Sequence, residues 1–335
     1  MKKNMRILIA YDGSDCAEAA LDDLAQAGLP KTAEAIVMSV TEVWLPPPPA
    51  SSYEIVEQAM TVSVPADMKK VYAKGSQAVK KAKALAERGA ARVRATFPKW
   101  KVKAEAIYGS PAWELVFKAD KWKPDLVVVG SHGRSALGRF ILGSVSQRIV
   151  AEARCSVRIA RGRVEEPGSP VRIVIGIDGS AAAQAALRAV AERNWPAQSQ
   201  ARVVVVDDPL QPTLAGELIP VIAKSVKSSN REDRARIQKF AEAAAKLIRS
   251  RNLHASVLIE EGDPKHVLPK VAEKWGANSI FVGAMGFSNR LERFVLGSVS
   301  AAVSARAHCS VEVVRGRPKR KRKTDGKPPT GTSSA

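Results

Sequence analysis

Cysteine, histidine, aromatic residues and long apolar runs are all scarce in this chain, and each scarcity removes a class of protein. Three cysteines, Cys16, Cys155 and Cys309, are too few for a disulfide framework and form no C-x-x-C pair. They fit core packing in a reducing compartment. The basic start leads into an apolar run that stops at Asp12, too soon for a signal peptide, and no small-residue cleavage site follows. No stretch approaches the length of a transmembrane helix, so the expectation is a cytoplasmic chain with no membrane partner. The four histidines, His132, His254, His266 and His308, share no ligand spacing. No metal site and no Ser/His/Asp catalytic set is therefore expected. Aromatics make up only 5%, so the cores must be aliphatic and rich in alanine.

Acidic charge is also short. Lys and Arg number 53 against 33 Asp and Glu, a net charge of +20 that favours polyanions. Part of that excess lies in one segment, the Lys/Arg run that begins at Arg315 and ends at Lys323. Hydrophobic content of 45% across 335 residues leaves room for about two ordinary domains with proper cores.

In chain order, residues 6–11 read as a buried strand ending in Asp12-Gly13-Ser14, with Ser14 placed to cap a helix over residues 15–26. A second strand spans residues 35–41, and four prolines follow at 46–49. Val71, Val79, Ala82, Leu85, Ala86 and Val93 recur at helical spacing and predict a long helix over 67–95. Residues 102–108 form a third strand. Ser110 then stands at the cap and Pro111 at the first turn of the next helix. A fourth strand covers 126–129, a helix 143–153 and a fifth strand 156–160. Five strands alternating with helices predict a doubly wound parallel sheet.

The pattern then repeats. Arg172 to Ser180 copies Arg6 to Ser14, residues 203–206 copy the second strand, and Glu261-Gly262-Asp263-Pro264 answers Tyr108-Gly109-Ser110-Pro111. Phe294 to Ser300 copies Phe140 to Ser146, and Cys309 to Arg317 copies Cys155 to Arg163. So many anchors in one order mark a tandem duplication. The expected division is a first domain over 1–163, a linker over 164–170, a second domain over 171–316 and a disordered basic tail over 317–335.

Function concentrates in residues 125–146, where a buried strand runs into Gly130 and Gly133 and, after nine intervening residues, into Gly143-Ser144. Strand, glycine loop and helix start make a cradle for an anion, because backbone amides and the helix N-terminus converge there. A Walker A loop does not fit, since Arg139-Phe140 stands where Lys-Ser/Thr is needed, and G-x-G-x-x-G is absent. The stretch resembles the G-x2-G-x9-G-S/T signature of ATP-binding universal stress proteins, and the resemblance covers nearly the whole chain as a tandem pair. It implies a Rossmann-like α/β fold with strand order 3-2-1-4-5 in each half, and ATP with Mg as the cofactor. It places adenosine among Ala10, Asp12 and Val40, and the phosphates on Gly130, His132, Gly133, Arg134, Gly143, Ser144 and Val145. Asp12 can also form the Asp-Gly-Ser turn or cap the helix, and the two roles are compatible. The matching positions of the second half are Asp178, Val206, Gly283, Gly286, Gly297 and Ser298.

In that half ten residues separate Gly286 from Gly297, and Glu292 adds negative charge, so weak or no binding is expected there. The resemblance also implies that the fifth strands of the two halves pair within one chain, and it leaves a further homodimer open. A nucleotide-binding regulator is the leading reading. The alternatives are a slow ATPase and a nucleic-acid-associated protein using the tail. Arg315-Gly316-Arg317-Pro318 is like a minor-groove hook, but Arg161-Gly162-Arg163 holds the same place in the first half, which points to inherited strand-end sequence.

Overall fold

A computed structural model describes residues 4–42, 66–133, 142–161, 166, 168–207, 220–251, 253–285 and 296–316, with side chains in the two long helices only from 73 and from 234 onward. The first half runs β1 (Met5–Ala10), α1 (Asp15–Asp23), β2 (Ala33–Thr41), α2 (Ala66–Thr96), β3 (Lys101–Tyr108), α3 (Pro111–Trp122), β4 (Leu126–Gly130), α4 (Ser144–Glu152) and β5 (Ser156–Ala160). The second runs β6 (Arg172–Gly176), α5 (Ala181–Ala191), β7 (Gln200–Asp207), α6 (Pro220–Arg249), β8 (His254–Glu261), α7 (Pro264–Trp275), β9 (Ser279–Gly283), α8 (Ser298–Arg306) and β10 (Ser310–Val314).

Local chemistry explains most boundaries. Ser14 accepts the amide of Ala17 at 3.2 Å and Ser180 accepts that of Ala183 at 3.1 Å, so both copies of the first helix are capped in the same way. Two expectations need correction. The helix expected to reach Gln26 ends at Asp23, and Leu24–Gln26 tighten into a 3-10 turn that leads to Gly28 at φ +62°. Pro111 does open α3, but the Ser110 side chain makes no capping bond. Asp263 has nearly the same backbone angles and does reach the amide of Lys265, at 2.9 Å. Its longer side chain spans the distance that a serine hydroxyl does not.

Each half is a parallel sheet in the order 3-2-1-4-5, as the resemblance implies. The two halves then join edge to edge through antiparallel β5 and β10, giving one sheet in the order β3-β2-β1-β4-β5-β10-β9-β6-β7-β8. Joining the two edges satisfies backbone groups that would otherwise invite pairing with other chains. Packing differs between the faces. Beneath α3, α4, α7 and α8 the apolar core is continuous across the seam, running from Leu8 and Val157 to Val311 and Ile280. On the other face two separate cores form, one under α1 and α2, the other under α5 and α6. Between them, Asp23, Arg158 and Glu312 are all buried at the seam.

Candidate functional site

Strand order fixes where a ligand can sit. β1 lies between β2 and β4 in register, with Ile7 beside Leu126 and Ile9 beside Val128, so their carboxyl ends open side by side. The connections from β1 and β4 leave in opposite directions across the sheet at this switch point, which leaves a crevice. Ala10 ends β1 next to Met38, and Val40 stands near the end of β2, half-buried, beside Ile107. Asp12 lies two residues past the end of β1. Its Oδ1 accepts the Ser14 amide at 3.0 Å and the Ser14 hydroxyl at 2.6 Å, so it does shape the turn. Its Oδ2 faces the glycine loop: a Cβ placed on Gly133 would lie 3.2 Å from it. The ends of β1 and β4 therefore meet at one place.

The glycines differ in what requires them. A Cβ on Gly130 would come within 2.8 Å of the Cys16 backbone oxygen, and one on Gly283 within 2.5 Å of the Ala182 carbonyl carbon. Both are needed where a helix start crosses the strand end, whatever else binds there. Gly143 caps α4, and its amide donates to the Ser131 carbonyl at 2.8 Å, so that amide is already occupied. The amides of Ser144, Val145 and Ser146 in the first turn of α4 have no intrahelical acceptor. No side chain caps this helix, in contrast to α1, α5 and α7. An uncapped N-terminus with exposed Ser144 beside a glycine loop is suited to a phosphate.

His132 is half-buried, with Nδ1 3.0 Å from the Ser131 hydroxyl and a buried Nε2 that has no partner. Burial, and then the nearby Arg161 guanidinium, push its pKa below the ordinary histidine value. The shift favours the neutral imidazole, which supplies hydrogen bonding rather than charge. Arg134 and Gly286 lie outside the described residues. Among the described residues no cluster of three His, Cys, Asp or Glu side chains could hold a metal ion.

The second half reproduces the anchors. Gly297 caps α8 and donates to the Ala284 carbonyl at 2.7 Å, and no side chain caps that helix either. Asp178 accepts the Ser180 amide at 2.9 Å, Val206 is half-buried near the end of β7, and Ser298 opens α8 exposed. At the described end of that loop, Gly297 and Ser298 hold the same places as Gly143 and Ser144.

Two contributors were not singled out from sequence. Ser146 donates to the Gly130 carbonyl at 2.6 Å, pinning the helix start to the strand end, and Ser300 donates at 2.9 Å to the carbonyl of Ala284, one residue past the end of β9. The copied Gly-Ser-Val-Ser in both halves was the available signal. Arg161 reaches across the seam and donates to the carbonyls of Ala305 and Ala307, while Arg315 donates to those of Val150 and Cys155. This reciprocal pair explains the repeated Arg-Gly and commits Arg315 to the fold. A cleft lined by Gln200, Arg249, His254 and Ser256 lies at the opposite, amino-terminal ends of β7 and β8, away from the switch point.

The model of the universal stress protein family matches residues 3–161 and again 171–315. A universal stress protein of Methanocaldococcus jannaschii is 30% identical over 160 residues, 47% of this chain and 81% of that protein. One from Mycobacterium tuberculosis is 28% identical over 185 residues, 53% of this chain and 56% of its own length. The crystal structure of a universal stress protein from Archaeoglobus fulgidus aligns over 93% of this chain and 98% of that one, with a TM-score of 0.59 at 18% identity. A universal stress protein in complex with cAMP and one from Arabidopsis thaliana with AMP bound align over 44% and 46% of this chain, with TM-scores of 0.31 and 0.32 at 22% and 14% identity. With two family matches in succession and the same strand order in both halves, this chain belongs to the universal stress protein family as a tandem two-domain member.

Proposed function

We propose that the chain is a nucleotide-binding regulator of the stress response, holding ATP in its first half and binding it weakly or not at all in its second. The observation that carries this reading is the uncapped start of α4 next to Asp12 and Gly133 at the switch point. In the proposed pose the amides of Ser144 and Val145, the Ser144 hydroxyl, Gly133 and Arg134 take the phosphates. Asp12 accepts from the sugar hydroxyls, and Ala10 and Val40 supply apolar surface for the base. A carboxylate beside the loop repels phosphate but suits a ribose, which sets the direction of the ligand. Mg would travel with the phosphates, since the described side chains offer it no cluster.

Equilibrium dialysis of ATP with Mg against three full-length proteins tests the proposal. The wild type is expected to bind about one ATP per chain, with Asp12→Ala losing most of that binding and Asp178→Ala keeping it. Equal losses in the two variants would overturn the asymmetry, and no binding by the wild type would overturn the function.

Three free thiols, and no helix among the described residues long and apolar enough to cross a membrane, support a place in the cytoplasm. The nucleic-acid alternative is weakened at Arg315, which is tied to Val150 and Cys155. The division into domains at residues 163 and 171 and the tail from 317 are likewise proposed, and the tail lies outside the described residues.

A further inference from the structure

We infer that the seam between the two halves accepts only unlike partners: the β5 edge is matched to the β10 edge and is mismatched to a second β5 edge. The repeat itself supplies the comparison. β5 and β10 pair antiparallel with Val157 opposite Val313, Arg158 opposite Glu312 and Ile159 opposite Val311. Aligning Cys155 with Cys309 makes Arg158 and Glu312 equivalent positions, so the local two-fold axis passes between them. Any pairing of like with like would set Arg158 against Arg158 or Glu312 against Glu312.

Most of the seam does not discriminate. The amide of Arg161 donates to the Ser310 hydroxyl at 2.9 Å and that of Arg315 to the Ser156 hydroxyl at 3.2 Å, related by the same two-fold. The arginines that reach helix-end carbonyls are likewise reciprocal. These contacts, and the flanking valines, would survive in a pair of identical edges.

The ionic set would not. Arg158 is 0% exposed and Glu312 1% exposed, with Nη1 3.5 Å from Oε2 across the seam. Arg158 also grips Asp23 through Nε at 2.5 Å and Nη2 at 2.9 Å, and Arg193 pairs with the other oxygen of Glu312. Asp23 and Arg193 break the symmetry too, since their counterparts by repeat alignment are Ala189 and Ala27. Both bond across the seam: Asp23 Oδ1 accepts the Ser310 hydroxyl at 2.7 Å, and Arg193 Nη1 donates to the Ala27 carbonyl at 2.7 Å. Identical charges buried directly opposite each other are unfavourable, and unlike pairing is the arrangement that places opposite charges there. The partner that fits is the other half of the same chain. The tether supplies it at high local concentration, and the charges oppose pairing of two like edges from different copies.

Co-refolding of two differently tagged full-length copies tests this, with capture of one tag and quantification of the other. The wild type sets the baseline. A variant combining Asp23→Asn, Arg158→Met, Arg193→Met and Glu312→Met removes the charge rule while keeping bulk, a change that buried ion clusters often tolerate. It is expected to raise co-capture severalfold as identical edges begin to pair between chains, and co-capture at the wild-type level would overturn the proposal. Should that variant fail to fold, Arg158→Glu and Glu312→Arg chains are refolded separately and together. A mixed particle enriched severalfold over either alone is expected, and no enrichment overturns the proposal.

Discussion

Replacing Asp12 with Asn separates turn formation from ligand binding on the same side chain. The amide keeps the shape of the carboxylate and keeps Oδ1 as an acceptor, so the bonds from the Ser14 amide at 3.0 Å and hydroxyl at 2.6 Å persist with a neutral partner. Bonds to charged groups contribute about 1.5–3 kcal/mol and neutral ones about 0.5–1.5. For this half-buried turn the expected loss of stability is therefore about 1 kcal/mol, a fall in Tm of about 2–4 °C. On the Oδ2 side, toward Gly133, the change is larger. In the proposed pose, a carboxylate that accepts from the sugar hydroxyls becomes a group with one end that only donates. Losing about 1.5–3 kcal/mol there weakens ATP by roughly 10- to 100-fold. Chemical denaturation measures the first quantity and isothermal titration the second. ATP affinity within about twofold of the wild type, well under the 1.4 kcal/mol of a tenfold change, would show that Asp12 only builds the turn.

Gly130→Ala is expected to cost about 1–3 kcal/mol in urea unfolding, because its Cβ would meet the Cys16 backbone oxygen at 2.8 Å. Gly133→Ala should cost less, since the atom it meets is the end of a side chain at 3.2 Å. Arg158→Met leaves the buried Asp23 carboxylate without its cationic partner and weakens the hold on Glu312, and the same assay should register a loss of about 3–5 kcal/mol. Burial raises the pKa of Glu114 in the folded chain above its ordinary value of 4.5. Its contribution to stability is full below that value and is lost as pH rises through the folded pKa. Glu114→Gln should therefore raise Tm relative to the wild type at pH 7 and leave it nearly unchanged near pH 4. A difference of equal size at both pH values would remove the titration as its cause.

The fold was legible because duplication writes every anchor twice. Strand ends, glycine pairs and Ser14 and Ser180 could be read against their copies, and the strand alternation followed from β-branched runs between helical spacings. The candidate site was legible as a set of positions, but the bonds within it were not. Gly130 reads as a phosphate glycine, while its geometry is dictated by the backbone of Cys16, 114 positions away in sequence. Gly143 reads as a donor, yet its amide is held by Ser131. The seam was the least legible part. Arg158 in a five-residue strand looks like a solvent-facing charge, because periodicity gives the face of a strand and not what covers it. Its partners Asp23 and Glu312 lie 135 and 154 residues away. Ser110 failed as a cap for a local reason, a side chain one atom too short, which a preference for Ser at that position does not report.

The most direct measurement is to denature the freshly purified full-length protein and chromatograph the nucleotide it releases. An adenine nucleotide, ATP, is expected at about one per chain or less, and about one per chain after incubation with ATP and Mg, with Asp12→Asn releasing much less. No nucleotide from either sample would contradict this, and the glycine loop would then be a turn that packs β4 against α1.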